Sequence, residues 1–346
     1  MKKIFLSLAV FVMALCANAQ TNQYFWYQGN LMLGTQIAQI DSVTFGDSES
    51  VDTLHLLLPR TIIKTVEVHD TVYITIHDTV CPNAIPEGAL VGEFSVSATK
   101  KIRFSKGNLQ FNAVQGMHQC ADGLTQQGTW QFAENQWTIL KTANNNASAT
   151  YDGWIDLFPW GTSGYDGKYP YLTNASYDNS FFINNQQDIS GTMLDWGLYN
   201  EISNGGTYGT WRTPTAEEYE YIFKLRPNAA NLQKAKVTVN GVCGHMLCPD
   251  NWDTSISLSS TYSEAEWEQM EALGAVFLPD AGVKDYSLIG GTGWFFVGYY
   301  WTGTCSTTSG KAICLDTYDA GSLADVGHNE HAVSHGRSVR LVQDVE

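Results

Sequence analysis

Apolar residues recur along this chain in short alternating runs. Phe94 and Val96 alternate with polar residues, and Ile102 and Phe104 do the same a few positions later. Alternation with a period of two is typical of a half-buried strand, whereas an amphipathic helix repeats about every 3.6 residues. Segments rich in Gly, Asn, Trp and Tyr separate these runs. The pattern therefore predicts many short edge or hairpin strands joined by long ordered loops.

Two segments carry helix-start signals instead. In the first, Thr215 is a candidate N-cap, and Glu218 stands at the position that completes a capping box. Acidic side chains in the first turn also suit the positive end of a helix dipole. We expect this helix to bury Tyr219, Ile222 and Phe223.

The second helix is predicted from Ser263 to Leu273, with Ser263 as the cap and Glu266 completing the box. Gly274 follows and is expected to end it. Three apolar residues share one helical face: Trp267, Met270 and Leu273. A few helices among many short strands predict an α+β fold.

The N-terminus has the order of a cleavable secretory signal. Residues 1–19 begin with Lys2 and Lys3, continue through an apolar stretch and end in Ala17-Asn18-Ala19. We therefore predict an exported protein, extracellular or associated with the cell surface. No later apolar run is long enough for a transmembrane segment.

Three further regions separate on composition. Residues 20–52 read as a small β leader segment that is too short to hold a core alone. Residues 53–86 contain an eight-residue repeat of alternating β-branched and polar positions, which predicts an extended linker or stalk. Residues 87–346 are predicted to form the main domain. An Asp-Ser/Thr-aliphatic pattern in the first two regions is similar to an O-glycosylation signal of gut anaerobes, and it implies modification at Ser42, Thr53, Thr71 and Thr79.

The charge of the chain argues against a nucleic-acid partner. The formal net charge is -16, and losing the two leader lysines would make it -18. A polyanion would be repelled by such a surface, and no Lys/Arg cluster marks a phosphate track.

The stretch from Trp211 to Tyr221, WRTPTAEEYEY, carries a resemblance to a known family. It resembles the signature of the formylglycine-generating-enzyme/sulfatase-modifying-factor branch of the C-type-lectin fold. The segment Gly336–Val342 resembles the closing strand of that branch. The resemblance implies a C-type-lectin-like domain with two main helices and long ordered loops.

Further segments resemble a large exported family that displays this fold at cell surfaces. That family includes pilus-tip adhesins and relatives of variable proteins diversified by retroelements. The resemblance covers roughly residues 92–346. The segments are 104–111, 130–137, 153–162, 274–282 and 298–302.

Six cysteines remain after the predicted leader, and an even number in an exported chain allows disulfides. The closest pairs are Cys305 with Cys314 and Cys243 with Cys248, although the sequence fixes no connectivity. Formylglycine-generating enzymes use a reactive cysteine pair with copper, but neither pair here has the expected position or flanking motif. We therefore predict no catalytic residue, no cofactor and no enzyme activity.

His328, His331 and His335 lie close together with Glu330 between them, which suggests metal ligands. Gly327 and the lack of apolar periodicity favour instead a loop of solvated histidines or a ligand-contact loop, so no metal site is predicted.

The resemblance places the binding face after Tyr299 and before Arg337. Aromatic and polar side chains there suit a glycan or a protein ligand. The predicted function is a surface-displayed, non-catalytic adhesin, and the alternatives are a formylglycine-type oxidase relative and a structural pilus or envelope component. The candidate ligand-binding residues are Tyr299, Trp301, Thr304, Asp316, Tyr318, Asp319, His328, Asn329, His331 and His335.

Overall fold

A computed structural model describes residues 22–27, 30–36, 42–45, 52–57, 63–68, 85–171, 187–285, 288–289, 297–317 and 325–345. The chain divides into two units, Met1–Ala84 and Ile85–Glu346. The predicted signal peptide, Thr71, Thr79 and Cys81 lie outside the described residues.

The first unit contains two small antiparallel sheets. One pairs β1 (Asn22–Tyr27) with β2 (Asn30–Gln36), and the other has the order β3-β4-β5. These last strands are Ser42–Phe45, Asp52–Leu57 and Ile63–Val68. The pairing of β4 with β3 and β5 crosses the predicted boundary at residue 52, so the beginning of the predicted stalk is paired strand.

The second unit is mostly strand with a few short helices, an α+β arrangement. Its helices are α1 (Trp196–Tyr199), α2 (Ala216–Glu220) and α3 (Glu264–Ala272), and a π-helical turn, Tyr221–Leu225, follows α2 directly. Short 3-10 turns span Lys141–Asn146, Tyr165–Gly167 and Ala229–Asn231. The strands are β6 (Phe94–Ser95), β7 (Lys101–Phe104), β8 (Leu109–Gln119), β9 (Thr125–Phe132), β10 (Trp154–Ile155), β11 (Gln233–Val239), β12 (Val242–Leu247), β13 (Thr261–Tyr262), β14 (Val276–Pro279), β15 (Lys284–Asp285), β16 (Leu288–Ile289), β17 (Tyr299–Cys305), β18 (Lys311–Asp316), β19 (Asp325–Ala332) and β20 (Val342–Asp344).

These strands form several small sheets rather than one large one. The orders are β10-β8-β9, β13-β11-β12-β14, β17-β18-β19, β20-β7-β6 and the pair β15-β16. All described pairings between these strands are antiparallel except β11 with β13, and two isolated bridges, Trp130 with Ile202 and Tyr300 with Ser338, are also parallel. The edge or hairpin strands predicted around Phe94 and Ile102 are present as β6 and β7, across which these two residues face each other.

The buried segment Gly336–Val342 connects the sheets. It bridges to Phe158, Lys284 and Tyr300, and it meets the WR tract where Arg212 pairs with Val342. The backbone amides of Ser105 and Leu109 also donate to its carbonyl oxygens. The two segments that carry the family resemblance are therefore neighbours in the structure.

Both predicted helix starts are confirmed, with Thr215 and Ser263 each forming a complete capping box. The prediction for the end of α3 is partly wrong. Trp267 and Met270 are buried, but Leu273 is 50% exposed because it lies beyond the last helical residue, as the C-cap. Gly274 follows with a φ of +95° and a backbone so close to Gly92 that an added Cβ would clash.

Replacing Thr215 tests how much its cap contributes. The Thr215 hydroxyl accepts from the amide of Glu218, and the Glu218 carboxylate accepts from the amide of Thr215 and from Arg212. We expect Thr215→Ala to lower the free energy of unfolding by about 1 kcal/mol, whereas Thr215→Ser keeps the oxygen and most of the stability. Urea unfolding of both variants measures the difference, and equal losses would show that the hydroxyl contributes nothing.

Within the described ranges, no helix combines the length and the apolar character that a membrane crossing needs.

Candidate ligand-binding site

The sheet β17-β18-β19 carries most of the predicted binding residues that the structure describes. Tyr299 and Trp301 lie on β17, Asp316 on β18, and Asn329 and His331 on β19. Both outer strands are irregular where they pass the middle of β18, because residues 302–304 and 327–329 bulge outward from the ladder. Bulges bend a strand and redirect its side chains, and they are frequent beside functional sites.

Arg337, on the neighbouring closing segment, joins the two aromatic residues. Its guanidinium carbon lies 4.6 Å from the ring centre of Tyr299 and 5.2 Å from that of Trp301. Stacking of this kind is favourable because the negative face of the ring attracts the cation. Arg337 is only 2% exposed, so its charge is held inside the protein.

Asp316 and His331 continue the cluster. The His331 Nε2 lies 3.2 Å from a carboxylate oxygen of Asp316, and the imidazole meets the ring of Tyr299 edge-on at 5.6 Å. The Asp316 side chain is 4% exposed, whereas that of His331 is 25% exposed. His331 is therefore the group through which this cluster reaches solvent.

Several buried polar atoms in and beside this cluster have no hydrogen-bond partner. They are the second carboxylate oxygen of Asp316, the Nδ2 of Asn329, and the Nε and Nη1 of Arg337. Unpartnered buried polar atoms are unusual in folded proteins, because each costs about 1–3 kcal/mol. These atoms are one acceptor and three donors, all closed off from solvent, so a polar ligand group can reach them only when neighbouring side chains move aside.

Two of the predicted residues hold the fold together rather than face solvent. The Thr304 hydroxyl accepts from the backbone amide of Ala216 at 3.0 Å, so it supports the start of α2. Trp301 is fully buried in the core and donates its indole N–H to the carbonyl of Phe158. His335 is half-buried in the turn after β19. Tyr318 and Asp319 lie outside the described residues, as does the side chain of His328.

The sequence predicted a loop for the histidine-rich segment, and this prediction is wrong for most of it. Residues Asp325–Ala332 form strand β19, which pairs with β18. The local pattern misled because the strand is bulged, which breaks the simple alternation. Among the residues that the structure describes, no group of three or more His, Cys, Asp or Glu side chains is arranged to hold a metal ion.

Neither candidate disulfide pair is bonded in this structure. Cys243, Cys248, Cys305 and Cys314 are free thiols, as is Cys120. On the β17-β18 ladder, Cys305 faces Ala312 and Cys314 faces Trp301, so the two thiols are not cross-strand neighbours.

Cys243 lies in β12, and Cys248 follows the end of that strand. An odd separation along an extended chain points the two side chains to opposite faces, too far apart to bond.

Burial holds these thiols in the protonated form. It raises the pKa of Cys248 to about 12 and the pKa of Cys314 well above its usual range. Burial also raises the pKa of Cys243 and Cys305, with nearby carboxylates adding to the effect. A thiol must ionise to act as a nucleophile, so none of these side chains is activated at neutral pH.

Sequence analysis missed Arg337 as a member of the site. Its segment is interpreted only as the closing strand, although Arg337 and Arg340 are both visible there in the sequence. Glu330 was weighed only as a metal ligand, yet it accepts hydrogen bonds from the hydroxyls of Ser306 and Thr308. It therefore ties β19 to the β17-β18 turn.

No protein-family model, no curated protein and no solved structure matches this chain.

Proposed function

We propose that residues 85–346 form a C-type-lectin-like module of the formylglycine-generating-enzyme/sulfatase-modifying-factor branch that binds an extracellular glycan or protein without catalysis. The observation that carries this proposal is the cluster of Asp316, Asn329, His331 and Arg337. Arg337, with two unpartnered nitrogens, lies over the rings of Tyr299 and Trp301, and Asp316, with one unpartnered oxygen, contacts His331. The pairing of Arg212 with Val342 supports the fold, because the two signature segments meet.

A sugar or a polar peptide group suits this cluster chemically. A hydroxyl group both donates and accepts, so it can pair with the free oxygen of Asp316 or with a donor of Asn329 or Arg337 once neighbouring side chains move aside. Such hydrogen bonds would recover the free energy that is lost while these atoms have no partner. Tyr299 and His331 supply flat apolar area beside them. The expected carbohydrate- or protein-binding role follows from this combination.

The oxidase alternative has weaker support. A formylglycine-type reaction requires a reactive thiol pair, whereas the described thiols are separate and mostly buried, with raised pKa values. Alkylation of the native protein at neutral pH distinguishes the two hypotheses. Rapid labelling of Cys243 or Cys248 would favour the oxidase.

Binding to immobilised host glycans and extracellular-matrix proteins tests the proposal. We expect His331→Ala and Asp316→Asn to weaken capture of the best ligand at least about tenfold, which corresponds to about 1.4 kcal/mol. His331→Ala removes the imidazole. Asp316→Asn replaces one carboxylate oxygen with an NH₂ group and keeps the shape of the side chain. Surface plasmon resonance of the full chain measures the dissociation constants.

Tyr208→Ala is the control, because Tyr208 is 39% exposed and lies elsewhere in the second unit. It should bind as well as the unchanged protein. Equal affinity of all variants would place the binding surface away from this cluster. Failure of every glycan and matrix protein to bind would favour the structural pilus or envelope component.

A further inference from the structure

A second polar cluster lies outside the binding site, around the fully buried side chain of Asn144. The Asn144 Oδ1 accepts from the backbone amides of Asp156 and Leu157, at 2.8 and 3.0 Å. Its Nδ2 donates to a carboxylate oxygen of Asp156 at 2.7 Å and to the carbonyl of Lys141 at 3.0 Å. Two N–H groups aimed at one carbonyl oxygen polarise the amide and suit the negative charge of a tetrahedral intermediate.

Lys284 brings an amine to the same residue. Its Nζ donates to the backbone oxygen of Asn144 at 2.8 Å, and the lysine is only 7% exposed. Burial lowers the pKa of this amine to about 8, so a substantial fraction is neutral near physiological pH. A neutral lysine amine is a nucleophile, whereas an ammonium is not.

Asp156 completes the arrangement. Its carboxyl is fully buried and accepts from the Asn144 side chain and from the amide of Leu140. Burial raises the pKa of this carboxyl to about 6. The group therefore exchanges a proton near neutral pH and lies against the nitrogen that would leave the amide.

We propose that Lys284 and Asn144 form an intramolecular isopeptide bond, with Asp156 as the acid–base group. The three side chains provide a nucleophile, a polarised amide and a proton carrier, because Asn144 contacts Lys284 through its backbone oxygen and Asp156 through its side chain. The flexible stem of Lys284 allows its Nζ to move from the backbone oxygen toward the Cγ of the same asparagine.

The reaction balances without an oxidant or any further reactant. The Nζ of the neutral lysine bonds to the Cγ of Asn144, and the negative charge develops on Oδ1 between the two backbone amides. Asp156 transfers a proton from Nζ to Nδ2, and the bond from Cγ to Nδ2 breaks. The products are a secondary amide and one molecule of ammonia.

Burial also favours the product. A lysine amine inside the protein loses its hydration, and a cation there is costly unless it is paired. An amide has no charge, so the linkage removes that cost. The bond would join the 3-10 turn at Lys141–Asn146 to strand β15, segments far apart in sequence.

Tryptic peptide mapping of the purified full chain tests the proposal directly. Trypsin does not cleave after a lysine whose amine is acylated, so we expect residues 237–311 to remain uncut at Lys284 and to be joined to residues 142–168. The branched peptide should weigh one ammonia less than the sum of its parts. Recovery of separate, unmodified peptides 142–168 and 237–284 in full yield would overturn the proposal.

Two variants assign the roles. Lys284→Arg retains a cation and a donor but no acylable amine of the same kind, so the branched peptide should disappear completely. Asp156→Asn should slow its formation about a hundredfold, within the range of general acid–base catalysis.

Lys234→Arg is the matched control, because Lys234 also donates to a backbone carbonyl, that of Leu258. It should leave the branched peptide unchanged. A branched peptide that persists in Lys284→Arg would refute the assignment of the linked lysine.

Discussion

Replacing Asp195 by Ala is expected to lower the free energy of unfolding by about 3–5 kcal/mol, because several buried donors lose their shared acceptor at a cost of about 1–3 kcal/mol each. Asp195 is fully buried and precedes α1. It accepts from the backbone amides of Gly191, Gly197 and Thr213 at 2.8 to 3.1 Å, and from the Thr213 hydroxyl at 2.8 Å. Alanine would leave four donors without a partner inside the protein.

The effect should extend beyond one helix end. Thr213 follows the WR tract, whose backbone pairs with the closing segment at Val342. Burial raises the pKa of the Asp195 carboxyl, while the hydrogen bonds from Thr213, Gly191 and Gly197 act in the opposite direction. The hydrogen-bond donors around it therefore stabilise the carboxylate in this position. Its removal would break the hydrogen bonds that connect the segments carrying Gly191, Gly197 and Thr213.

Chemical denaturation with guanidinium measures this loss, and we expect the slope of unfolding free energy against denaturant concentration to stay unchanged. Asp195→Asn should be intermediate, because one oxygen remains while its NH₂ group faces backbone amides that also donate. Asp253→Ala is the control, since Asp253 accepts only within an exposed turn, from Ser255. It should leave the midpoint unchanged. A loss below about 1 kcal/mol for Asp195→Ala would contradict the importance of the network.

The starts of α2 and α3 were predictable because their determinants are local, whereas α1 was not predicted. A capping box involves residues three positions apart, so Thr215 with Glu218 and Ser263 with Glu266 are visible in the sequence. The end of α3 was predicted one residue too late, because Leu273 continues the apolar stripe although the helix ends before Gly274.

The candidate site was predictable only in part. A resemblance pointed to β17 and β19. In the structure His331 contacts both Tyr299 and Asp316. The place of Arg337 above two aromatic rings depends on a bridge between distant segments. Contacts between segments that are distant in sequence leave no local pattern. The hydrogen bonds of Asp195 with Thr213 and of Lys284 with Asn144 are of the same kind.

His245 should make the stability of the protein depend on pH. It is 1% exposed, its Nε2 contacts the side-chain oxygen of Gln233 at 3.1 Å, and its ring meets Phe223 edge-on. Burial, with a smaller contribution from Lys236, lowers the pKa of this imidazole to about 4. In the unfolded chain the pKa is about 6.5.

The direction of the effect follows from these two values. Between pH 6.5 and 4 the unfolded chain binds a proton at His245 that the folded protein does not bind, so stability falls as the pH falls. The lowered pKa corresponds to a loss of about 3 kcal/mol between neutral pH and pH 4.

Comparison with His245→Gln and His245→Phe isolates this contribution from all other titrating groups. Neither replacement titrates, so the difference in unfolding free energy between the unchanged protein and each variant should shift by about 3 kcal/mol from pH 7 to pH 4. The two variants will differ in absolute stability, because Gln and Phe fill the site differently. Their difference curves should nevertheless have the same shape. A curve that is flat over this interval would mean that the buried imidazole accepts its proton as readily as an exposed one.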